Sequence, residues 1–526
     1  MNATMTLPTR TTTLPAPKVK GGKKARRRAA RAERALKQLG YSATQVTDHD
    51  DDTHGTKRSR TLESRERLNK ASKVDRILAS PDFWNVACAL PGNARVPGTN
   101  GRPATYPTWV FLAVAAMVPL YGTQRETFTE LADPKQWERW RRSAHEHLPD
   151  GFDPAPETPP QEYHFQYWLK AKWTSPNWAE YRANAVKAFR GTALHLAQGL
   201  GHLPSHHPMY YKRPFAAQWV AFDGTVWQGP SDVPAGSGHR HDSASGWHNK
   251  FGDDHIRVWG SKVAFASIRS EDWHGRVVLD YQMVKGPNED SGIGDEGAAI
   301  VAMACRIQDA APGMRGLIVD GILRGDTLAR LAARNLFVIN YPTAKTNPDR
   351  ATKGTINDTR TEKHAKVYVF RHKRRNGTEC VHHLWGIGGR LHERLPDVKG
   401  HDAFVPLDVT TVQSRRNADG TYRHYLRAVI KCLGRDVAAM VPLYHHPDNG
   451  PVLNRGEYLR LYPPGTWQFT ALYGRRNDTE SLHNEAKLTM PRLPAYGSTR
   501  QELFVLGLSL GYNAVTRSLL AKTSPG

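Results

Sequence analysis

Between Trp219 and Ile339 the chain runs through three apolar strands, a helix, a strand, a short helix and a further strand. The strand segments are 218–226, Lys262 to Ile268, Arg276 to Val284, 315–320 and Leu336 to Ile339. The helices run from Glu296 to Gln308, rich in alanine and isoleucine, and from Thr327 to Ala333. Strands that alternate in this way with amphipathic helices bury their apolar faces as a layered α/β core with a mixed sheet, not as a barrel or a sandwich.

Two of these strands carry an acid late in the run. Trp219-Val220-Ala221-Phe222-Asp223-Gly224 places Asp223 in the second half of an apolar strand. Leu317-Ile318-Val319-Asp320-Gly321 runs directly into Asp320 and reads as a strand buried on both faces. Polar groups near strand ends of open α/β sheets collect where ligands bind. Asp-Gly is also an ordinary turn dipeptide, so either aspartate alone can be a turn residue.

A third acid lies in a patterned stretch near the C-terminus, where Tyr473, Arg476, Glu480 and Lys487 spell Y-x2-R-x3-E-x6-K. At about 100° per residue these offsets fall within roughly 60° of arc on a helix. Gly474 interrupts the pattern, and a helix starting near Asn477 or Asp478 would leave Tyr473 on the preceding turn. The stripe suits a phosphodiester beside a metal ion, with cations for phosphate oxygens, a carboxylate for the metal and an aromatic for stacking. It equally describes a solvated helix face with an Arg476/Glu480 pair at i, i+4.

Asp223, Asp320 and Glu480, together with the Tyr473/Arg476/Glu480/Lys487 spacing, resemble the DDE transposases of bacterial insertion sequences, in the group with the YREK signature. The resemblance covers about Trp219 to Leu520 and implies an RNase H-like catalytic core, whose order of elements is the one above. It departs from the family at the second acid. Asp-x-Gly followed by an aromatic is frequent there, whereas Asp320 precedes Gly321-Ile322-Leu323-Arg324-Gly325; Asp326 is the alternative acid and reads as a helix N-cap.

The resemblance implies metal-dependent cleavage at transposon terminal repeats, then strand transfer of the freed 3′-OH into target DNA. Asp223, Asp320 and Glu480 would hold two Mg²⁺ ions about 3.5–4 Å apart, with Mn²⁺ able to substitute. Arg476 and Lys487 would grip phosphates flanking the cut, and Tyr473 would position the terminal nucleotide. The partners implied are double-stranded DNA, as terminal inverted repeats and as target, and a second protomer in the DNA complex. The implied setting is the bacterial cytoplasm, at the nucleoid. A domesticated copy that binds DNA without cutting it, and a related RNase H-like nuclease, are the alternatives.

Far more chain separates Asp320 from Glu480 than such a core needs. Residues 346–466 read as a β-rich insertion, with strands Lys366 to Phe370, His382 to Ile387, Arg423 to Val429 and Asp436 to Val441. Asn376-Gly377 and Asp419-Gly420 are hairpin turns. Arg371, Lys373, Arg374, Arg375, Arg415 and Arg416 suit a DNA backbone, or serve as solubilising edge charges. Trp385, the single tryptophan of the insertion, is a candidate to stack on a flipped base, or a core residue.

The remaining division is a basic arm and linker over 1–75, a helical DNA-binding domain over 76–210, a first part of the core over 211–345 and its C-terminal helices over 467–526. Lys18 to Arg28 forms a cationic run for DNA phosphates, and Asp48 to Asp52 a solvated acidic linker. An apolar helix from Pro107 to Leu120, a break at Gly122 and a capped helix from Thr123 form a helix–turn–helix that reads terminal repeats, or simple helix packing.

The formal charge of +23 over 526 residues argues for a polyanionic partner and is silent on fold. No apolar run is taken to reach the roughly 18 residues of a membrane span, so a soluble protein is expected. Cys88, Cys305, Cys380 and Cys432 lack CxxC spacing and are expected as reduced thiols. His239, His241, His248 and His255, and Cys380 with His382 and His383, lack structural zinc-finger spacing, so zinc is not expected. The histidine-rich loop is read instead as a DNA-contacting or lid segment.

Overall fold

The computed structural model describes residues 68–92, 105–150, 152, 154–231, 242–249, 257–270, 275–286, 294–342, 364–396, 402–444 and 455–521. The basic run, the acidic linker and His239, His241 and His255 lie outside these residues. The protein is a mixed α/β structure with several sheets.

Among the described residues seven α-helices precede the first strand: α1 (Lys70–Leu78), α2 (Pro81–Cys88), α3 (Thr108–Tyr121), α4 (Gln124–Leu131), α5 (Pro134–His147), α6 (Glu162–Trp168) and α7 (Ala179–Gly199). Gly122, at φ 94°, ends α3, and the Thr123 hydroxyl then accepts from the Glu126 N–H at 3.1 Å to open α4. Nearly every residue of α3 is buried. A helix buried on all sides cannot also lie in a DNA groove. In this segment α4, and α5 which follows it, present cations outward through Arg125, Lys135 and Arg142.

The main sheet is built from β1 (Trp219–Trp227), β2 (Gly246–Asn249), β3 (Arg257–Arg269) and β4 (Arg276–Val284), then α8 (Glu296–Ala310), β5 (Gly316–Ile318), α9 (Asp326–Ala333) and β6 (Phe337–Ile339). Its strands run in the order β4-β3-β1-β5-β6, with β2 on the first residues of β3. β1, β3 and β4 pair antiparallel, whereas β1, β5 and β6 are parallel. The apolar runs of β5 and β6 are buried throughout, as parallel strands covered on both faces require. Gly325, at φ 53°, occupies the N-cap of α9, so Asp326 is its first helical residue rather than the cap.

Among the described residues seven antiparallel strands follow: β7 (His364–Lys373), β8 (Glu379–Ile387), β9 (Arg390–Pro396), β10 (Asp402–Pro406), β11 (Asp408–Arg416), β12 (Tyr422–Cys432) and β13 (Arg435–Pro442). They form one sheet ordered β10-β9-β8-β7 and another ordered β11-β12-β13. Leu426, Ala428 and Ile430 of β12 and Leu384 of β8 share a core with Ile318, Phe337 and Ile339 of the main sheet. The buried His424 ring on β12 lies 2.8 Å from the Ala332 carbonyl of α9 and adds a polar tie.

The chain closes with α10 (Trp467–Tyr473), α11 (Asn477–Thr489) and α12 (Ser498–Ala521). By length and composition α12 could cross a membrane, contrary to the expectation that no such run exists; 78% of its apolar window is buried inside the protein. It packs so closely on α3 that a Cβ at Gly507 would collide with the Ala115 backbone. The N-terminal helices, the main sheet and α12 thus share one apolar core.

Candidate active site

Strand register brings the two aspartates together. β1 and β5 pair in parallel at Trp219↔Gly316, Val220↔Leu317 and Ala221↔Ile318. Asp223 lies two residues beyond Ala221 and Asp320 two beyond Ile318, so both acids stand at the same level on neighbouring chains. Each also accepts the backbone N–H of the following glycine, at 3.0 Å for Gly224 and 2.8 Å for Gly321.

The third acid arrives from α11. Tyr473 ends α10, Gly474 to Arg476 form a single 3₁₀ turn, and α11 begins at Asn477, so the four patterned residues do not share one helix. Arg476 nevertheless links the set. Its Nη2 lies 3.3 Å from Asp320 Oδ2 and its Nη1 3.0 Å from Glu480 Oε1. Tyr473 stacks on Phe469 with centroids 4.9 Å apart and meets Tyr341 edge-on at 5.0 Å. Burial pushes the Tyr473 hydroxyl above its ordinary pKa, against the lowering effect of nearby Arg476. Burial lowers the pKa of Lys487, and the neighbouring charge of Asp223 partly restores it.

The electrostatics centre on Asp223, whose side chain is 17% exposed. Burial pushes its pKa up to about 7, and the negative charges of Glu296 and Asp320 push the same way; Arg476 and the Gly224 N–H oppose them. Two groups here carried no signal as isolated residues in the sequence. Glu296, the first residue of α8, extends its carboxylate over Gly224 and pairs with Lys262 of β3. His483, one turn beyond Glu480, sets Nδ1 3.6 Å from Asp223 Oδ2. That separation resembles an ion pair, but burial first and then Lys487, Arg276 and Arg476 hold the imidazole pKa down to about 3. His483 is therefore a neutral neighbour of Asp223, with a buried Nε2 that has no hydrogen-bond partner. Its place at i+3 from Glu480 was a readable signal.

The structure groups Asp223, Asp320, Glu480, Tyr473, Arg476 and Lys487. Trp385 sits elsewhere, half-buried on β8, with Phe404 edge-on at 5.4 Å and the Arg394 guanidinium 5.9 Å over its ring. In the histidine-rich loop, Asp242 is a buried structural acceptor for Ser245, Gln501 and the Gly497 N–H, and His248 bonds the Gly260 carbonyl.

Several carboxylates, from the largely buried Asp223 to the half-exposed Glu480, gather at one place, with Arg476 bridging Asp320 and Glu480. An all-oxygen donor set of this charge suits a hard divalent cation such as Mg²⁺ or Mn²⁺. No protein-family model, curated protein or solved structure matches this chain.

Proposed function

We propose that the chain is a DDE transposase with an RNase H-like core, cleaving DNA at transposon terminal repeats and transferring the 3′-OH strand into target DNA. The observation that carries the reading is the side-by-side placement of Asp223 and Asp320 by the β1–β5 register, with Glu480 tied to Asp320 through Arg476. The succession of three strands, helix, strand, helix, strand within one mixed sheet supports the RNase H-like part. The charge of +23 supports a DNA partner.

Asp223, Asp320 and Glu480 would hold Mg²⁺, or Mn²⁺ in its place. Bound metal supplies an activated water and charge stabilisation at the leaving 3′ oxygen. Arg476 is already drawn to acidic oxygens, and a scissile phosphate offers it oxygens of the same kind. Lys487 contributes a second cation on the Asp223 side. Tyr473, its ring fixed by Phe469 and Tyr341, presents a hydroxyl and an edge to the terminal nucleotide. His483, neutral and buried, lies against Asp223 with Nδ1 3.6 Å from its Oδ2. Pairing of two transposon ends calls for at least two protomers on DNA.

The test is cleavage of a labelled duplex carrying the inverted repeat that flanks the gene, with Mg²⁺ or with EDTA, by wild type and by Asp320→Ala. Metal-dependent nicking at the repeat boundary that vanishes in the variant supports the reading. Salt-sensitive binding with no cut in either protein replaces it with the non-cutting DNA-binding derivative.

A further inference from the structure

Away from the carboxylates, four side chains that are scattered in sequence converge where the two sheets of the insertion meet. His372 comes from β7, Cys380 and His382 from β8, and Cys432 from the last position of β12. One ligand atom from each lies within 4.8 Å of all the others. Cys380 Sγ is 3.3 Å from His382 Nε2 and 3.5 Å from Cys432 Sγ, and the two Nε2 atoms of His372 and His382 are 3.3 Å apart. A tetrahedral zinc ion with bonds near 2.3 Å to sulfur and 2.0–2.1 Å to nitrogen requires ligand atoms about 3.3–3.8 Å apart. The contacts Cys380–His382, Cys380–Cys432 and His372–His382, at 3.3–3.5 Å, fall within that range, and a modest closing of the cluster on binding brings the remaining pairs, all within 4.8 Å, into the same shell.

The surroundings match as well. Glu393 of β9 holds His382 Nδ1 at 2.5 Å, which leaves Nε2 as the lone-pair donor facing the cluster. Arg374 donates to Cys380 Sγ at 3.1 Å, placing a cation beside the thiol. Cys380, His382 and Cys432 are buried, as suits a closed site with four protein ligands and no open position. We propose that His372, Cys380, His382 and Cys432 bind one structural Zn²⁺ that fastens the β7–β8 hairpin to the β12–β13 hairpin.

The spacing alone gave no zinc, and the thiols were expected free; the reason is that pairing, not sequence proximity, builds the set. Cys380 and His382 share a strand face by alternation, and β7–β8 register sets His372 opposite Cys380. Cys432 arrives from the second sheet, 52 residues after Cys380. On binding, both thiols lose their protons to solvent, and two thiolates with two neutral imidazoles balance the ion's charge. Soft sulfur and imidazole ligands in a tetrahedron select zinc over the hard cation of the carboxylate site. The inference does not depend on DNA cleavage.

The test is metal analysis of the purified full chain, with a Cys380→Ser/Cys432→Ser variant and a wild-type sample exchanged into Co²⁺. Expected are one zinc per wild-type chain, its loss from the variant, and tetrahedral d–d bands with sulfur-to-cobalt charge transfer in the exchanged protein. Cys380 and Cys432 should react with a thiol reagent only after chelation. Glu393→Gln should keep the one-to-one stoichiometry but weaken zinc affinity about 10–100-fold in chelator competition. Zinc content equal in wild type and variant, a Cys380–Cys432 disulfide, or a cobalt form without tetrahedral bands would each overturn the proposal. The cobalt spectrum decides the matter even if the double variant fails to fold.

Discussion

Arg476 Nη2 lies 3.3 Å from Asp320 Oδ2, an ion pair between the turn before α11 and the end of β5. The same guanidinium reaches Glu480 at 3.0 Å, so one cation joins the end of β5 to α11. Burial works against the Arg476 charge, but Asp320, Tyr473, Asp223 and Glu480 together raise its pKa above the ordinary value.

Arg476→Ala should therefore destabilise the metal-free protein by about 1–3 kcal/mol, because Asp320 and its neighbours lose their counter-charge. Added Mg²⁺ should recover more of that loss than it adds to wild type, since metal then replaces the missing cation. DNA cleavage should fall. Thermal unfolding with and without Mg²⁺ checks the first two statements, and an equal Mg²⁺ response in both proteins would contradict them.

The raised pKa of Asp223 has a consequence for stability. Its protonated form is the one burial favours in the folded state. The stability it contributes is present in full below about pH 4, where the unfolded chain binds the proton too, and is lost as pH rises to about 7. Asp223→Asn should then stabilise the metal-free protein at pH 8 by on the order of 2–4 kcal/mol, with no gain at pH 4. Denaturant unfolding at both pH values reads the difference. The same variant should lose cleavage and any Mg²⁺-dependent stabilisation, the pattern of a site that trades stability for function.

Much of the main sheet was legible because its strands are continuous apolar runs. β1 was expected over 218–226 and is found at Trp219–Trp227, and α8, expected from Glu296 to Gln308, ends at Ala310. β2 was not foreseen: Gly246, Trp247, His248 and Asn249 have no strand periodicity and are ordered by pairing with β3. Asp223 and Asp320 were visible as acids in apolar strands. Their alignment was not, since it depends on the β1–β5 register. Glu296 escaped notice because a carboxylate at a helix start is ordinary, and only the fold sets it over Gly224.

Gly224 offers a way to separate Glu296 from the other acids. A Cβ there would collide with the Glu296 carboxylate, the movable end of a long side chain. Gly224→Ala should displace Glu296 from Lys262 at a cost of about 1 kcal/mol. In a Glu296→Ala background the same substitution should cost little, and the non-additivity measures the contact. Additive losses in the double-mutant cycle would show that Gly224 is required by something other than Glu296.

Glu480 is the acid whose loss should leave the fold alone. Its side chain is 52% exposed, against 17% for Asp223 and 25% for Asp320. Glu480→Gln keeps size and shape, and Arg476 keeps its contact with Asp320, so stability should change by less than about 0.5 kcal/mol. Cleavage of the terminal-repeat duplex should fall by about 10³-fold, because a neutral amide is a poor ligand for a divalent ion that must stabilise the transition state. DNA affinity should be unchanged, since the cations that meet the phosphates remain. Gel-shift titration and a nicking assay on the same preparation read both quantities. Full nicking by the variant would remove Glu480 from the metal set.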